Sequence, residues 1–331
     1  MDSLLFLIIS DIVVYIGIYL IVVIALNLEY GCTGIPNIGL SFSVASGALT
    51  VGYLMGRIAM SMYSIDSSLD FVSDNSYVCS LINAEFRSYP LNAILLSLVT
   101  MLIAIIFSVF ISLVAAYPAI RLRADYLMMT LIAMAEAIRI VGNAYTPIAG
   151  GTLGVQVPDI FSFFGSFRYM GATVIILVTC IAVFVIAEKI TRSPFGRLLR
   201  AVRENEVSVE SVGKSVNRIR IKVLALGSAI AALAGVLYSF YFCAVVAQAY
   251  NRTDWSFWPW LIMMVGGTGN NRGAALGTII VIIARRMIIF SKYYFTGLLP
   301  FDVIWLEPIL LGVSLILIMA FKPQGILPEK P

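Results

Sequence analysis

Residues 91–118 read LNAILLSLVTMLIAIIFSVFISLVAAYP, a stretch without a single Asp, Glu, Lys or Arg. A helix needs about 20 consecutive apolar residues to cross the hydrocarbon core of a bilayer, and this stretch exceeds that length. Strands of a transmembrane barrel would alternate apolar and polar residues over about ten positions, and no such alternation is present here. The stretch therefore predicts a transmembrane helix.

Apolar runs of the same character recur along the chain. They lie near residues 4–28, 38–56, 126–142, 170–187, 221–247, 257–267, 273–290 and 302–321. Of the 331 residues, 60% are hydrophobic and only 12% are charged, about half of the roughly 25% that soluble domains carry. Because lipid leaves helices and closed barrels as the only spanning structures, we predict an all-α, polytopic transmembrane helical bundle. It has about eight to ten spans and forms a single domain over residues 1–331.

The composition argues against an enzyme. The chain has no histidine, the commonest general base and metal ligand. Its four cysteines, Cys32, Cys79, Cys180 and Cys243, show no C-x-x-C spacing. We therefore predict no catalytic residue, no metal site, no cofactor and no nucleic-acid partner. A disulfide between Cys32 and Cys79 stays open, since both lie in polar connections.

One short motif resembles the end of a phosphate-binding loop. It is Gly213-Lys214-Ser215, but the full pattern requires a glycine where Ser208 stands. No strand–loop–helix context surrounds it. ATP, if it is used, must therefore be bound by another subunit.

Charge distinguishes two of the connections. Residues 188–222 hold nine basic and four acidic side chains, and the positive-inside rule predicts a cytoplasmic loop there. The connection 57–90 holds Asp66, Asp70, Asp74 and Glu85 against Arg57 and Arg87. We predict that this connection lies on the extracytoplasmic side.

Glycine-rich stretches interrupt the apolar runs at residues 31–39, 150–154 and 266–273. Irregular backbone at membrane depth is tolerated only where it is buried in protein or lines a cavity, and broken helices often form the binding sites of transporters. We therefore predict broken or re-entrant segments, with the pair 257–267 and 273–290 as the first candidate. The predicted path residues here are Asn37, Gly266, Gly267, Asn270 and Asn271. For 150–154 a surface turn is the favoured interpretation.

Glu136 and Arg139 are two further candidates for the translocation path. They are charged residues within an apolar run and share one helix face at a spacing of three. A charge at the bilayer centre costs at least about 2.5–3.5 kcal/mol, so it should face protein or a water-filled cavity. Two interpretations stay open: the pair lines a path or gate, or Arg139 extends to the interface while Glu136 only ties helices together.

Residues 193–222 begin with a helix breaker, Pro194, and continue as a charged amphipathic stretch. Leu198, Leu199, Val202 and Val209 can form an apolar edge beside arginines and glutamates. Such a stretch can offer one short helix to a groove of a partner protein. The alternative is an ordinary solvated loop whose charge sets the topology.

These segments resemble a known family, and the match extends over nearly the whole chain. The resembling stretches are GCTGIPNIG (31–39), YPAIRLRADYLMMTLIAMAEAIRIV (117–141), GGTLGV (150–155), SPFGRLLRAVRENEVSVESVGKSVNRIRIKVLALGSAIAALAGVLYSFY (193–241), GGTGNNRGAALG (266–277) and FKPQGIL (321–327). The chain is similar to the M-type permease subunit of the branched-chain amino-acid ABC importer family, which also includes urea and amide importers.

The resemblance implies a pore subunit in the plasma membrane of a prokaryote. It would pair with a second permease subunit, two cytosolic ATP-binding subunits and an extracytoplasmic substrate-binding protein. The loop after Pro194 would couple the ATPases to a path for branched-chain or other hydrophobic amino acids. The coupling residues that this implies are Arg197, Arg200, Arg203, Glu204, Glu206, Glu210 and Gly213.

Three positions depart from the family pattern: Leu40, Leu153 and Ala274. The family often has polar residues at the first two and proline at the third. These departures leave transport as the class of function but bear on the substrate. The alternatives are an importer of urea or amides from the same family, or an ion-coupled secondary transporter or channel that uses Glu136 and Arg139.

Overall fold

The computed structural model describes residues 2–66, 68–119, 124–295, 305–322 and 324–329, almost all of them helical. The helices are α1 (Asp2–Leu26), α2 (Ser41–Met62), α3 (Asn75–Ser88), α4 (Pro90–Ala119), α5 (Ala124–Ala144), α6 (Thr146–Ala149), α7 (Arg168–Arg192), α8 (Pro194–Glu204), α9 (Glu206–Ser211), α10 (Val216–Phe242), α11 (Trp258–Gly266), α12 (Asn271–Phe295) and α13 (Leu306–Phe321). Two short strands, β1 (Val155–Gln156) and β2 (Ala244–Val245), pair antiparallel. Asn27–Gly31 and Thr253–Phe257 form π-helical turns. The prediction of an all-α bundle is confirmed.

The core of the bundle is built from α1, α2 and α10. Side chains from Ile21 to Leu26 on α1 have no exposed surface. Gly235 on α10 lies so close to Val44 on α2 that a Cβ there would overlap the Val44 carbonyl oxygen. Small residues of this kind let helix backbones approach closely, which stabilises packing in lipid where the hydrophobic effect between helices is absent.

One outer surface of the bundle is apolar. Leu102, Ile106 and Phe110 on α4 are each about 60% exposed, and their spacing of four places them on one helix face. A continuous exposed apolar stripe on a 28-residue hydrophobic span fits contact with lipid tails. The chain is therefore a multi-pass membrane protein.

The described residues contain six helices that are long and apolar enough to cross a membrane: α1 with its π turn, α4, α5, α7 with its preceding turn, α10 and α12. All six extend between two ends of the bundle. We call them the basic end, where α8 and α9 lie, and the cap end, where α3 and the two strands lie. Two further helices belong to the bundle, the buried α2 and the 16-residue α13, whose first turn lies beside Arg285 of α12.

The run near 257–267 is a broken pass and not a re-entrant segment. Ala244 pairs with Gln156 at the cap end. Gly266 accepts a 2.9 Å hydrogen bond from Leu327 N at the basic end. The chain between them crosses the bundle through short turns and the nine-residue α11. The described residues contain six candidate spans, to which α2, α13 and this broken pass add further segments, and the count of eight to ten spans stays a prediction.

Residues of the 57–90 connection fold over the cap end. On α3, Val78, Ile82 and Phe86 are fully buried at a spacing of four. The Asn75 side chain accepts a 2.6 Å hydrogen bond from Gln156 N, which joins α3 to β1. Residues 150–154 form a surface turn beside this cap, with Leu153 90% exposed, as the favoured interpretation predicted.

All four cysteines are free thiols. Cys32 lies beyond the π turn at the basic end, whereas Cys79 lies on α3 at the cap end. The two residues are on opposite ends of the bundle, so the open alternative of a disulfide between them is wrong.

Candidate functional site

The short helix α8 is formed by local sequence signals. Ser193 is its N-cap, and its hydroxyl accepts hydrogen bonds from Phe195 N and Gly196 N. Pro194 follows at the first helical position, where its missing N–H is not needed. Leu199 and Val202 are 1% exposed, so α8 packs one apolar edge onto the bundle. The predicted amphipathic helix is present.

The structure divides the predicted coupling residues between two directions. Those that face outward are Arg197, Glu204, Glu206, Glu210 and Gly213. They surround the exposed apolar side chains Val207 and Val212, which are 75% and 76% exposed. Arg200 and Arg203 instead turn inward, toward the bundle. The predicted set therefore forms an outer surface and a separate inner contact.

Arg203 is the centre of the inner contact. Its guanidinium donates a hydrogen bond to the Gly31 carbonyl oxygen, in the first broken segment. It also pairs with Glu329 at 2.8 Å and with Glu204 at 2.9 Å. Burial disfavours the charge, but the hydrogen bonds to Glu204 and Glu329 outweigh it and raise the pKa of Arg203, so this arginine stays charged.

The C-terminal tail completes this contact. Ile326 N and Leu327 N donate 2.9 Å hydrogen bonds to the carbonyls of Val265 and Gly266, at the end of α11. Glu329 then reaches Arg200 at 3.5 Å as well as Arg203. We call residues 324–329 the C-terminal strap.

Asn27 joins the two broken segments. Its side-chain amide donates to Asn271 Oδ1 at 2.8 Å, and its Oδ1 accepts from Gly269 N at 2.8 Å. Asn271 in turn donates to Thr191 on α7 at 3.2 Å and to Glu188 at 3.1 Å. Of the predicted path residues, Asn271, Gly266 and Gly267 are buried at this basic end, and Asn270 donates to the Leu327 carbonyl at 3.2 Å.

Asn37 lies elsewhere, beside a buried acid. Its amide donates to Glu29 Oε2 at 2.8 Å, and Trp260 Nε1 donates to its carbonyl oxygen at 3.2 Å. The other Glu29 oxygen, Oε1, and Asn37 Oδ1 have no hydrogen-bond partner among the described residues. Glu29 is fully buried within a π turn, a feature frequent at functional sites.

Glu136 and Arg139 form a separate cluster in the second half of α5. Arg139 hydrogen-bonds to Glu136 and to Gln248, and Arg252 pairs with Glu136 at 3.2 Å. The cluster thus ties α5 to the first turns of the broken pass. The ion pair holds Arg139 beside Glu136. The Glu136 and Arg139 side chains are 26% and 22% exposed on the outside of this chain.

An apolar groove of about 540 Å³ lies between α2, α4 and the second half of α5. Leu49, Tyr53, Phe107 and Val141 are among its lining residues, and Ser46 adds one of its few polar groups. The groove and the charged cluster together place apolar and charged surfaces along α5.

A second buried ionic cluster was not predicted. Arg285 on α12 pairs with Asp254 in the second π turn and, at 2.6 Å, with Glu307 on α13. It also donates to Tyr19 Oη on α1 at 2.6 Å. One arginine thus joins four segments within the membrane-spanning region.

The sequence patterns did not indicate six further residues of these clusters: Asn27, Glu29, Asp254, Arg285, Glu307 and Glu329. Asp254 and Arg285 carried a usable signal, since each is a charge within or beside an apolar run. Glu29 lies two residues before the glycine-rich interruption that begins at Gly31, at the end of an apolar run, and carried the same signal. Glu329 lies in a short polar tail, and nothing in the spacing of that tail indicates a partner on α8.

Comparisons with known proteins find a matching family and similar sequences. The profile of the family described as branched-chain amino acid transport system / permease component matches residues 8–319. The LivM protein of Methanocaldococcus jannaschii, described as a branched-chain amino acid transport permease protein, is 39% identical over 327 residues, covering 98% of this chain and 94% of that protein.

Two bacterial proteins are more distant. The LivM proteins of Escherichia coli K12 and Salmonella typhimurium LT2, described as high-affinity branched-chain amino acid transport system permease proteins, are each 27% identical over 239 residues. The match covers 64% of this chain and 53% of each of those proteins. No solved structure gives a significant match.

Proposed function

Because this chain belongs to the branched-chain amino acid transport system / permease component family, we propose that it is a permease subunit of an ATP-binding-cassette importer. It forms a translocation path for branched-chain or other hydrophobic amino acids with a second permease subunit. Two cytosolic ATP-binding subunits drive it, and an extracytoplasmic binding protein delivers the substrate. We place the complex in the plasma membrane of a prokaryotic cell.

The observation that carries this proposal is the two-sided character of the 193–222 loop. Its outer surface presents Arg197, Glu206 and Glu210 beside the exposed Val207 and Val212. Charged groups around apolar anchors suit a docking surface for an ATP-binding subunit. Its inner side holds Arg203 against the Gly31 carbonyl oxygen. A partner that binds the outer surface can therefore move the first broken segment.

Thermodynamics sets the requirement for such coupling. A nucleotide state of the ATPases shifts the permease only if it binds one permease conformation better than the other. The loop meets this requirement when its docking energy depends on the position of α8. Arg203 of α8 is bonded to the first broken segment, residues 31–39, and through the strap to the second, residues 266–273. A movement of α8 therefore rearranges both segments, and the path opens alternately to the two sides.

The path itself is proposed to run along α5. Glu136 and Arg139 are partly exposed charged groups within the α5 span, and Arg252 pairs with Glu136. A charge within a span is stable against another protein or water and not against lipid. We propose that the second permease subunit covers this face, and that the adjacent apolar groove faces the path and suits an apolar amino-acid side chain.

Reconstitution tests the proposal. The chain is assembled in liposomes with its second permease, ATP-binding subunits and binding protein, and uptake of leucine, isoleucine and valine is measured. We expect uphill uptake only when ATP and all subunits are present. Uphill accumulation by the chain alone would contradict the proposal and favour the ion-coupled alternative. Ligand screening of the binding protein separates amino acids from urea and amides.

A single charge reversal tests the docking surface. Arg197→Glu changes an exposed residue of α8 and should abolish ATPase stimulation by the loaded binding protein while membrane insertion and thermal stability stay unchanged. Arg87→Glu reverses an exposed arginine at the cap end, away from this surface, and should leave association of the ATP-binding subunits intact, whereas Arg197→Glu should weaken it. Unchanged stimulation in Arg197→Glu would show that this surface is not where the ATPases dock.

A further inference from the structure

The C-terminal strap contacts both α8 and the end of α11. Resting on that function, we propose that the strap, residues 324–329, transmits movement of α8 to the second broken segment. Glu329 acts as its positioning residue. Arg203 contacts Gly31 of the first broken segment, and a Cβ at Gly269 in the α11–α12 turn would lie 3.2 Å from its Nη1. The strap adds a further link from Arg200 and Arg203 to that turn.

The first step is the pair of ionic contacts between the strap and α8. The two carboxylate oxygens of Glu329 face two different arginines: Oε1 lies 3.5 Å from Arg200 Nε, and Oε2 lies 2.8 Å from an Arg203 terminal nitrogen. The Glu329 side chain is only 22% exposed. A partly buried carboxylate shared by two arginines is held more firmly than a surface ion pair, because solvent screens it less.

The second step is the set of backbone hydrogen bonds between the strap and α11 of the broken pass. Ile326 N and Leu327 N donate to the last two carbonyls of α11, those of Val265 and Gly266, which the end of a helix leaves open. At Gly267, whose φ is +122°, a Cβ would overlap the Leu327 carbonyl oxygen, so the two backbones are in direct contact. The strap cannot move along α11 without breaking these bonds.

The third step is the turn between α11 and α12. A Cβ at Gly269 would come within 2.6 Å of Glu329 Oε2, and Gly269 N donates to Asn27. The carboxylate therefore lies directly on the turn that carries the predicted path residues Asn270 and Asn271. A displacement of Arg200 and Arg203 pulls on Glu329, and through it on this turn.

Removing the charge of Glu329 isolates this route. Glu329→Gln keeps the shape but leaves Arg200 and Arg203 without their shared carboxylate, so α8 loosens from the turn while the backbone bonds of the strap persist. In the reconstituted complex we expect unchanged assembly and basal ATPase activity. Substrate transported per ATP hydrolysed should fall about tenfold, which corresponds to ~1.4 kcal/mol of coupling.

Two further variants separate coupling from a merely structural role. Glu329→Asp keeps the carboxylate and should retain most of the transport per ATP. Glu85→Gln makes the same chemical change at the cap end and should behave as the unmodified chain. Hydrogen exchange adds a readout that needs no substrate: nucleotide binding should change protection of residues 265–273 in the unmodified complex and not in Glu329→Gln.

The outcomes distinguish the two levels of the proposal. If the unmodified complex shows no ATP-driven uptake, the proposed function fails, whereas the exchange result still reports on the strap. If Glu329→Gln retains both its transport per ATP and its nucleotide-dependent protection, the role of the strap is overturned. Loss of assembly in both Glu329→Gln and Glu329→Asp would also overturn it, since the residue would then serve only the fold.

Discussion

At the residue scale, Gly227 is a position where a single methyl group has a large effect. A Cβ added at Gly227 on α10 would overlap the Glu29 carboxylate, which is fully buried and held by Asn37. The neighbour that must give way is therefore a polar group with no solvent to move into. The glycine creates the space in which this acid lies.

We expect Gly227→Ala to lower the thermal stability of the purified protein. Overpacking a well-packed site costs typically about 1–3 kcal/mol, which exceeds the gain of about 1 kcal/mol from helix propensity. Gly312→Ala on α13 is the matched control, because a Cβ there meets no atom within 4 Å. A melting temperature for Gly227→Ala equal to that of Gly312→Ala would show that the Glu29 side chain yields.

Arg285 is the second residue whose surroundings permit a sharp expectation. Its side chain is 11% exposed and compensates both Asp254 and Glu307. Arg285→Gln removes the cation that the two carboxylates share, and removing one partner of a buried ion pair costs about 3–5 kcal/mol.

We therefore expect Arg285→Gln to lower the melting temperature and the yield of folded protein in detergent. Arg272→Gln on the same helix is the control, since Arg272 is 68% exposed and lies 3.9 Å from its acidic neighbour. Equal stability of the two variants would mean that the cluster contributes little to the fold.

At the element scale, α8 depends on its N-terminal cap. The Ser193 hydroxyl accepts from two backbone N–H groups, and such a cap is worth about 1 kcal/mol. The helix is short, so its packing on Leu199 and Val202 and this cap are what keep it formed.

Ser193→Ala should therefore increase amide exchange across α8 roughly fivefold, the factor that corresponds to about 1 kcal/mol, with no change in the long helices. Ser208→Ala, an exposed serine in α9, serves as the control. Hydrogen exchange followed by mass spectrometry resolves the two segments. Equal protection of α8 in both variants would indicate that packing alone holds the helix.

Helices differ in how well the sequence predicts them. Long charge-free runs such as 91–118 predicted their helices well, because lipid allows no other structure there. Glu136 and Arg139 were found because charge within such a run is unusual. The amphipathic helix α8 was found from Pro194 and the apolar edge after it.

The partners of these groups could not be predicted, because they come from distant parts of the chain. Arg203 meets Gly31 across 172 positions of sequence. Which arginines turn inward also depends on the fold, since Arg197 and Arg200 differ by only three residues yet face outward and inward. The prediction treated both as parts of one coupling surface.

At the scale of the whole molecule, the distribution of thiols is a test of the topology. Cys79 is buried at the cap end, and burial raises the pKa of its thiol to about 12. A raised pKa reduces the thiolate fraction at neutral pH, and the thiolate is the species that reacts. Cys32 at the basic end is also buried.

We expect maleimide to label the native protein slowly at Cys32 and Cys79, and to label both fully in denaturant without any reductant. Mass spectrometry of the intact protein counts the adducts. A pair of thiols that becomes reactive only after reduction would contradict the free-thiol state and, with it, the placement of the two residues at opposite ends.

The exposed cluster of Glu136, Arg139 and Arg252 bears on how long an unassembled copy of the chain survives in the cell. Charges within an apolar span are unfavourable against lipid, so a copy that lacks the proposed second permease exposes a defect that membrane proteases can recognise. We expect such orphan copies to be short-lived in pulse-chase experiments. Production of the two permeases in equal numbers would then be enforced by degradation of whichever is in excess.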